Sequence, residues 1–386
     1  MRYVLANEKL VVAGRAWKGF PLLLGEGGHP MEPAQSFLWD LITSNGRVSS
    51  PKSWDSYGWA LYDFFAFVVS NGLDWQQPGM PGLPSALEAY RDWSKGTVGL
   101  ANTTINNRLR VIARFYQWAV KNCHIDRLPF EFASIQTSRQ PSFLAHVDAT
   151  NGRVESPRIL LKQQVQSIKI LTKAQVKVCY EALPNLTHRL MFSLMLRTGL
   201  RQIECRTWPD KPGYVFDPSR RRDLRWNEKI RLNLDPRDME IKNSKPRSID
   251  LPYDLMEELD TYSVRHRQMR ERNHRHGTRF STLFLTEHGA PYTKTALVAI
   301  FAALSKRVGF HVNAHMLRHS YATFLLWSLR KSKTFEGEPL LYVRDRLGHS
   351  DVTTTALYLH LINSLEGHLV LAHEDEIDQL FAGGEP

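Results

Sequence analysis

Residues 314–360 constrain this chain more than any other stretch. They open with Ala314-His315-Met316-Leu317-Arg318-His319-Ser320-Tyr321-Ala322-Thr323-Phe324 and continue through Arg346-Leu347-Gly348-His349-Ser350. They close on Thr353-Thr354-Thr355-Ala356-Leu357-Tyr358-Leu359-His360. His315 and Arg318, three apart, project from the same face of a helix. Leu347-Gly348 reads as a helix end, because glycine accepts the left-handed conformation there. Tyr358, nine positions beyond His349, falls in a helical segment introduced by Asp351. A basic fork, two imidazoles and a phenol form a set suited to attack on a phosphate. Arginine binds phosphate oxygens bidentately, histidine moves protons near neutral pH, and tyrosine serves as a covalent nucleophile.

Taken in order, these residues resemble the tyrosine recombinases, or phage integrase family. The resemblance implies a mainly α fold with a small antiparallel β-sheet, in which a helical core-binding domain precedes a tyrosine-recombinase catalytic domain. The expected divisions are an N-terminal extension with short strands (1–33), a helical DNA-binding domain (34–136), an interdomain linker (137–167) and a catalytic domain (168–362). A C-terminal helix and tail (363–386) would dock on a neighbouring protomer.

Local patterning agrees with that layout. Apolar runs in the extension, such as Tyr3-Val4-Leu5 and Pro21-Leu22-Leu23-Leu24, read as strands. Trp54, Tyr57, Leu61, Phe64, Phe65 and Val68 recur at helical spacing, between a start at Pro51 or Ser53 and a stop at Asn71-Gly72. Ile105, Leu109, Ile112, Phe115, Tyr116 and Ala119 form a second stripe, preceded by Asn102-Thr103-Thr104 as a cap cluster. These aromatics read as core rather than as base-stacking platforms. Arg108, Arg110 and Arg114 decorate the other faces of the second helix, either as a solvated surface or as phosphate contacts. The polar stretch Thr137–Ser167 reads as an interdomain linker with partial structure. Thr172 with Gln175 is a capping box for a helix through Leu183, and Asn185 caps another from Leu186 to Arg197 that Gly199 ends. Strand-like runs follow at Gly213–Phe216, Ile230–Leu234 and Met239–Ile241, with a later one at Leu283–Thr286. Thr293 caps a helix through Val308, and Leu361–Gln379 reads as an amphipathic helix.

The resemblance also assigns roles. Thr198-Gly199-Leu200-Arg201-Gln202-Ile203-Glu204 matches the segment carrying the first catalytic arginine, Arg201, with Glu204 one turn on to hold its guanidinium. A lysine near the small sheet completes the set. Lys242 is the first choice and Lys245 the alternative, since the stretch after Arg201 is longer than in compact members. Tyr358 would then attack a DNA phosphate, with His315 as proton acceptor, Arg201 and Arg318 on the non-bridging oxygens, Lys242 protonating the leaving 5′-oxygen and His349 bonding the pentavalent phosphate. Arg220, Arg221, Arg222, Lys245 and Arg247 are further candidates for the DNA backbone, with a solvated loop the alternative at Arg220–Arg222.

Composition fits such a partner. With 50 Lys+Arg against 39 Asp+Glu, the net charge of +11 favours a polyanion. Cys123, Cys179 and Cys205 are too few and too scattered for a disulfide framework or zinc site, and read as buried thiols. The expectation is a cytoplasmic, nucleoid-associated protein of a mobile genetic element, needing no metal, cofactor or ATP and having no membrane partner. Its partners would be a double-stranded recombination site, further copies of itself in a tetramer on DNA, and an accessory DNA-bending or directionality protein. The competing readings are a type IB topoisomerase and a non-catalytic DNA-binding regulator of the same fold.

Overall fold

The computed structural model describes residues 1–44, 50–80, 82–136, 153–163, 168–226, 228–274, 279–349 and 352–365. They divide into two compact units, Met1–Val165 and Gln166–Pro386.

The first unit begins with β1 (Arg2–Leu5), β2 (Val11–Val12), β3 (Arg15–Ala16) and β4 (Pro21–Leu24), paired antiparallel as β1–β4 and β2–β3. The buried Gln35 side chain braces β4, accepting from the Leu23 N–H at 2.9 Å and donating to the Pro21 carbonyl at 3.2 Å. Gln35 lies in α1 (Ala34–Trp39), which precedes α2 (Pro51–Ser70), α3 (Ala86–Gly96) and α4 (Asn102–Lys121). Pro51 occupies the first turn of α2, where its missing N–H costs nothing. The two apolar stripes meet as expected: Phe64, Phe65, Phe115 and Tyr116 are at most 1% exposed. Edge-to-face ring pairs such as Phe65–Phe115, at 5.3 Å, join them.

One local expectation is corrected here. Ala101, not the Asn-Thr-Thr cluster, is the N-cap of α4. Asn102 instead sends its amide to the Lys162 carbonyl, and Asn106 brackets Leu161 by accepting from its N–H and donating to its carbonyl, at 2.9 and 2.8 Å. Those bonds bear on the expected linker. Its described part is docked on the first unit: β6 (Arg153–Pro157) pairs with β5 (Phe132–Gln136), and Ile159 enters the core. Residues 137–152 and 164–167 lie outside the described residues.

The second unit is built from α5 (Lys173–Glu181), α6 (Leu186–Thr198), α7 (Gln202–Arg206), β7 (Lys229–Leu234), β8 (Arg247–Pro252), α8 (Tyr253–Thr261), α9 (Gln268–Arg272), α10 (Lys294–Val308), α11 (Ala314–Lys331), α12 (Pro339–Leu347) and α13 (Val352–Leu365). The Thr172–Gln175 capping box and the Asn185 cap form as read, although α5 stops two residues early. β7 and β8 pair antiparallel from Lys229↔Pro252 to Leu234↔Arg247, burying Ile230, Leu232 and Leu234 on one face. Gly213–Phe216 and Met239–Ile241 are not strands. Tyr214, Val215, Met239 and Ile241 are apolar because they plug the core from loops, and a short apolar run does not distinguish the two cases. Leu283–Thr286 likewise supplies a single β-bridge, Leu285 to Pro291, rather than a strand.

Leu361–Leu365 continue α13, the helix that carries Tyr358, so no separate helix starts there. The remainder of the expected C-terminal helix, like Ser350 and Asp351, lies outside the described residues. Cys179 and Cys205 are buried thiols, but Cys123 is exposed. No described helix is long and apolar enough to cross a membrane.

Candidate active site

Three arginines from three separate elements converge on the C-terminal end of α12. The last carbonyls of a helix have no partner within it and carry the negative end of its dipole. Arg247, at the start of β8, donates its Nε to the Arg346 carbonyl at 2.9 Å. Arg318, in α11, donates Nη2 to the Leu347 carbonyl and Nη1 to the Gly199 carbonyl, the latter at 2.6 Å. Arg201, the N-cap of α7, reaches the Gly348 carbonyl at 3.4 Å.

Two glycines permit the convergence. Gly348 has φ +63°, and a β-carbon on it would lie 2.8 Å from Arg247 Cδ. Gly199 has φ +67°, and a β-carbon there would sit 2.3 Å from the Tyr321 ring. Both positions combine the left-handed backbone with a close approach that any side chain would block.

Glu204 is the one carboxylate bonded directly into this cluster among the described residues. It is fully buried and accepts from Arg247 Nη1 and Nη2 at 2.7 and 2.6 Å, from the Arg201 N–H at 2.7 Å and from Arg201 Nη1 at 3.2 Å. Burial by itself would raise its pKa. The hydrogen bonds and charge of Arg247, helped by Arg201, outweigh that and hold it at about 2. Arg247 was expected on the DNA surface. Its side chain is only 5% exposed, with Nη1 and Nη2 on Glu204 and Nε on the Arg346 carbonyl, so the structure places it in a buried ion-pair network rather than on an open basic loop. Glu204 bonds the Arg201 guanidinium, as its place one turn on implies, and Arg247 is a second, bidentate partner that the spacing does not reveal.

One carboxylate does not balance three guanidiniums. The Arg318 pKa is pulled down first by its burial and then by the charges of Arg201 and Arg247. A guanidinium stays protonated regardless. The site therefore holds uncompensated positive charge that an incoming anion would relieve.

Tyr358 lies against this charge. It is 2% exposed, and burial raises its pKa while Arg318 and Arg201 pull the other way. Its hydroxyl is 2.9 Å from His319 Nδ1, and its ring stacks with His349 at 6.4 Å and 14°. His349 Nδ1 sits 3.0 Å from the buried Thr355 hydroxyl. The His349 pKa falls to about 3 through burial and then Arg318 and Arg201. His315 sits in the first turn of α11, above the cap in which Asn313 Oδ1 accepts from the His315 and Met316 N–H groups, both at 2.9 Å. Its outer edge is open to solvent, while partial desolvation and the charges of Arg318, Arg201 and Lys242 depress its pKa. The hydroxyl of Tyr358 bonds to His319, a residue with no role assigned by the motif. The other nearby phenols are committed: Tyr321 is 3% exposed in the core, and Tyr342 donates to Asp250 at 2.6 Å.

Lys242 and Lys245 are both exposed, at the end of the long β7–β8 connection. Asn243 and Ser244, at φ +63° and +50°, turn the chain between them. Lys242 is the one whose charge registers on His315. The remaining candidates lie further out. Arg220 and Arg221 are exposed but paired with Asp217 and Asp223, and Arg222 is exposed. In the first unit Arg108 is drawn into an ion pair with Asp63. Arg110 and Arg114 stay exposed along a groove of about 550 Å³ between α2 and α4, beside Tyr57 and the half-exposed Trp59.

Comparison with known proteins bears on this arrangement. Residues 219–364 match the phage integrase family, a span that contains Lys242, His315, Arg318, His349 and Tyr358 but not Arg201. Transposase A from transposon Tn554 of Staphylococcus aureus is 27% identical, covering 89% of this chain and 92% of that protein. Tyrosine recombinase XerC of Bacillus subtilis is 22% identical over 71% of this chain and 76% of its own length. Among solved structures, the Tn1549 transposon integrase in complex with a circular intermediate DNA has a TM-score of 0.55 at 18% identity, covering 84% of this chain and 93% of that one. The XerH site-specific recombinase in its post-cleavage complex with palindromic difH substrate has a TM-score of 0.52 at 16% identity, over 89% and 90%.

Proposed function

We propose that this chain, a member of the tyrosine recombinase (phage integrase) family, recombines DNA by cutting and rejoining it through a 3′-phosphotyrosine intermediate. The observation that carries this reading is the buried Tyr358 hydroxyl beside an arginine cluster with a single bonded carboxylate. Such a cluster fits an oxyanion better than any neutral ligand, and most strongly where charge grows in a transition state. Arg318 uses two of its five N–H groups on carbonyls, which leaves donors for phosphate oxygens.

Tyr358 attacks the phosphorus, Arg201 and Arg318 bind the non-bridging oxygens, and Lys242 gives a proton to the leaving 5′-oxygen. A Thr355 hydroxyl that donates to His349 Nδ1 leaves Nε2 as an N–H donor toward the same phosphate. His315, exposed at the rim, serves as a second imidazole contact. The freed 5′-hydroxyl of a partner strand reverses the step, so the phosphodiester energy is conserved. Exchange between two duplexes cuts four strands with one tyrosine each, and a tetramer on DNA follows. Arg110 and Arg114 supply backbone contacts from the first unit. The 27% identity to a transposase over most of both chains favours movement of a mobile element as the setting.

The test is a nicked duplex that lets the short fragment bearing the free 5′-hydroxyl diffuse away and traps the covalent adduct. Adduct formation followed by exchange into a second duplex supports the reading, whereas tight binding without any adduct contradicts it.

A further inference from the structure

We propose that His319 is the general base that removes the Tyr358 proton during attack. This inference rests on the recombinase reading above and concerns the same site. The proton acceptor expected from the sequence was His315, four residues earlier and one turn away. His315 instead meets the edge of the His319 ring, with centroids 4.3 Å apart at 75°, and it is His319 Nδ1 that lies 2.9 Å from the Tyr358 hydroxyl.

The surroundings leave the phenol proton one place to go. Besides His319, the charged groups that act on the Tyr358 hydroxyl are Arg318 and Arg201, whose guanidiniums carry no lone pair. His349 presents its ring face to the tyrosine and has Nδ1 engaged by Thr355. His319 must therefore be in the tautomer with a bare Nδ1 for the phenol proton to find an acceptor.

The groups that face His319 are His315 and Arg318 on its own helix, Tyr358 on α13, and His349 at the end of α12. Burial first, then His315 and Arg318, hold its pKa near 4, so the ring is neutral and able to accept throughout the neutral range. In the step itself the proton moves from Tyr358 Oη to His319 Nδ1 as the Oη–phosphorus bond forms. The phosphorus–O5′ bond breaks, and the departing oxygen takes its proton from Lys242. The phosphate, arriving as an anion, raises the proton affinity of His319 when the base is needed.

His319→Gln separates holding from proton transfer, because the amide oxygen still accepts a hydrogen bond but cannot take the proton. Measured on the full chain with the nicked duplex under single turnover, adduct formation should slow by roughly 10²- to 10⁴-fold, the usual yield of a general base. DNA affinity should be unchanged. The residual rate should rise with hydroxide concentration, and imidazole should partly restore His319→Ala. The wild type provides a check that needs no variant: its adduct rate should be flat at pH values well above 4 through neutrality. A wild-type rate that climbs tenfold per pH unit there overturns the assignment. So does a His319→Gln rate equal to or faster than wild type, which would make His319 a resting place for the tyrosine. A wild type that forms no adduct overturns the recombinase reading and this inference together, whereas adduct from both proteins at one rate overturns this inference alone.

Discussion

Arg247 and Glu204, 43 residues apart, form a bidentate ion pair at 2.7 and 2.6 Å that is almost wholly withdrawn from solvent. Through it the sheet, the first arginine's helix and the turn carrying His349 are held in one register. Breaking a buried pair by removing one partner leaves a naked charge and costs about 3–5 kcal/mol. Arg247→Ala should therefore destabilise the second unit by that amount, measured by urea unfolding. It should also slow cleavage while leaving the stability of the first unit unchanged.

The same pair sets an acid limit. Glu204 is held at about 2 in the folded chain against an ordinary 4.5, so its contribution is present above pH 4.5 and is lost as the pH falls toward 2. At ~1.4 kcal/mol per pH unit of displacement, about 3 kcal/mol of stability should disappear across that window. Glu204→Gln should be less stable at neutral pH and should lose stability less steeply on acidification; an unfolding profile as steep as wild type would show that the carboxylate is not the group responsible.

The choice between Lys242 and Lys245 has a chemical test. A substrate with sulfur in place of the bridging 5′-oxygen leaves without protonation. Lys242→Ala should lose roughly 10²-fold or more on the ordinary substrate, as expected for loss of a general acid, and recover on the sulfur one. Recovery of Lys245→Ala instead would reverse the assignment.

DNA affinity should fall steeply with salt, since each neutralised phosphate releases counterions. Arg110→Ala and Arg114→Ala should each weaken binding on all sequences alike and lower the slope of log affinity against log salt by about 1. Arg108→Ala should destabilise the first unit through Asp63 rather than alter the slope.

Cleavage should persist in excess EDTA. In the proposed mechanism the positive charge that a metal would supply to the phosphate comes from Arg201, Arg318 and Lys242. Loss of adduct on chelation, restored by magnesium, would contradict this.

Motif spacing singles out His315, Arg318, His349 and Tyr358, which lie within one short window, and the structure gathers them in one place. Helical periodicity likewise outlined α2 and α4, and short-range cap chemistry marked the starts of α5 and α6. The burial of Arg247 is not legible in the same way, because a buried arginine with a distant carboxylate looks, in sequence, like an arginine on a basic loop. His319 was passed over for a similar reason. It sits one turn beyond His315, and only the packing of α13 against α11 decides which imidazole meets the phenol. Loop residues such as Tyr214 and Ile241 imitate strands because burial, not backbone geometry, selects their apolar character.

Tyr358→Phe tests the central claim most directly. The change removes one oxygen and keeps the ring, its stacking on His349 and the net charge, so thermal unfolding and DNA binding should stay close to wild type. The measurement is covalent protein–DNA product from the nicked duplex, read on a denaturing gel. Wild type should give the adduct and Tyr358→Phe none, with Tyr342→Phe still forming it. An adduct that survives Tyr358→Phe and disappears with Tyr342→Phe would contradict the account.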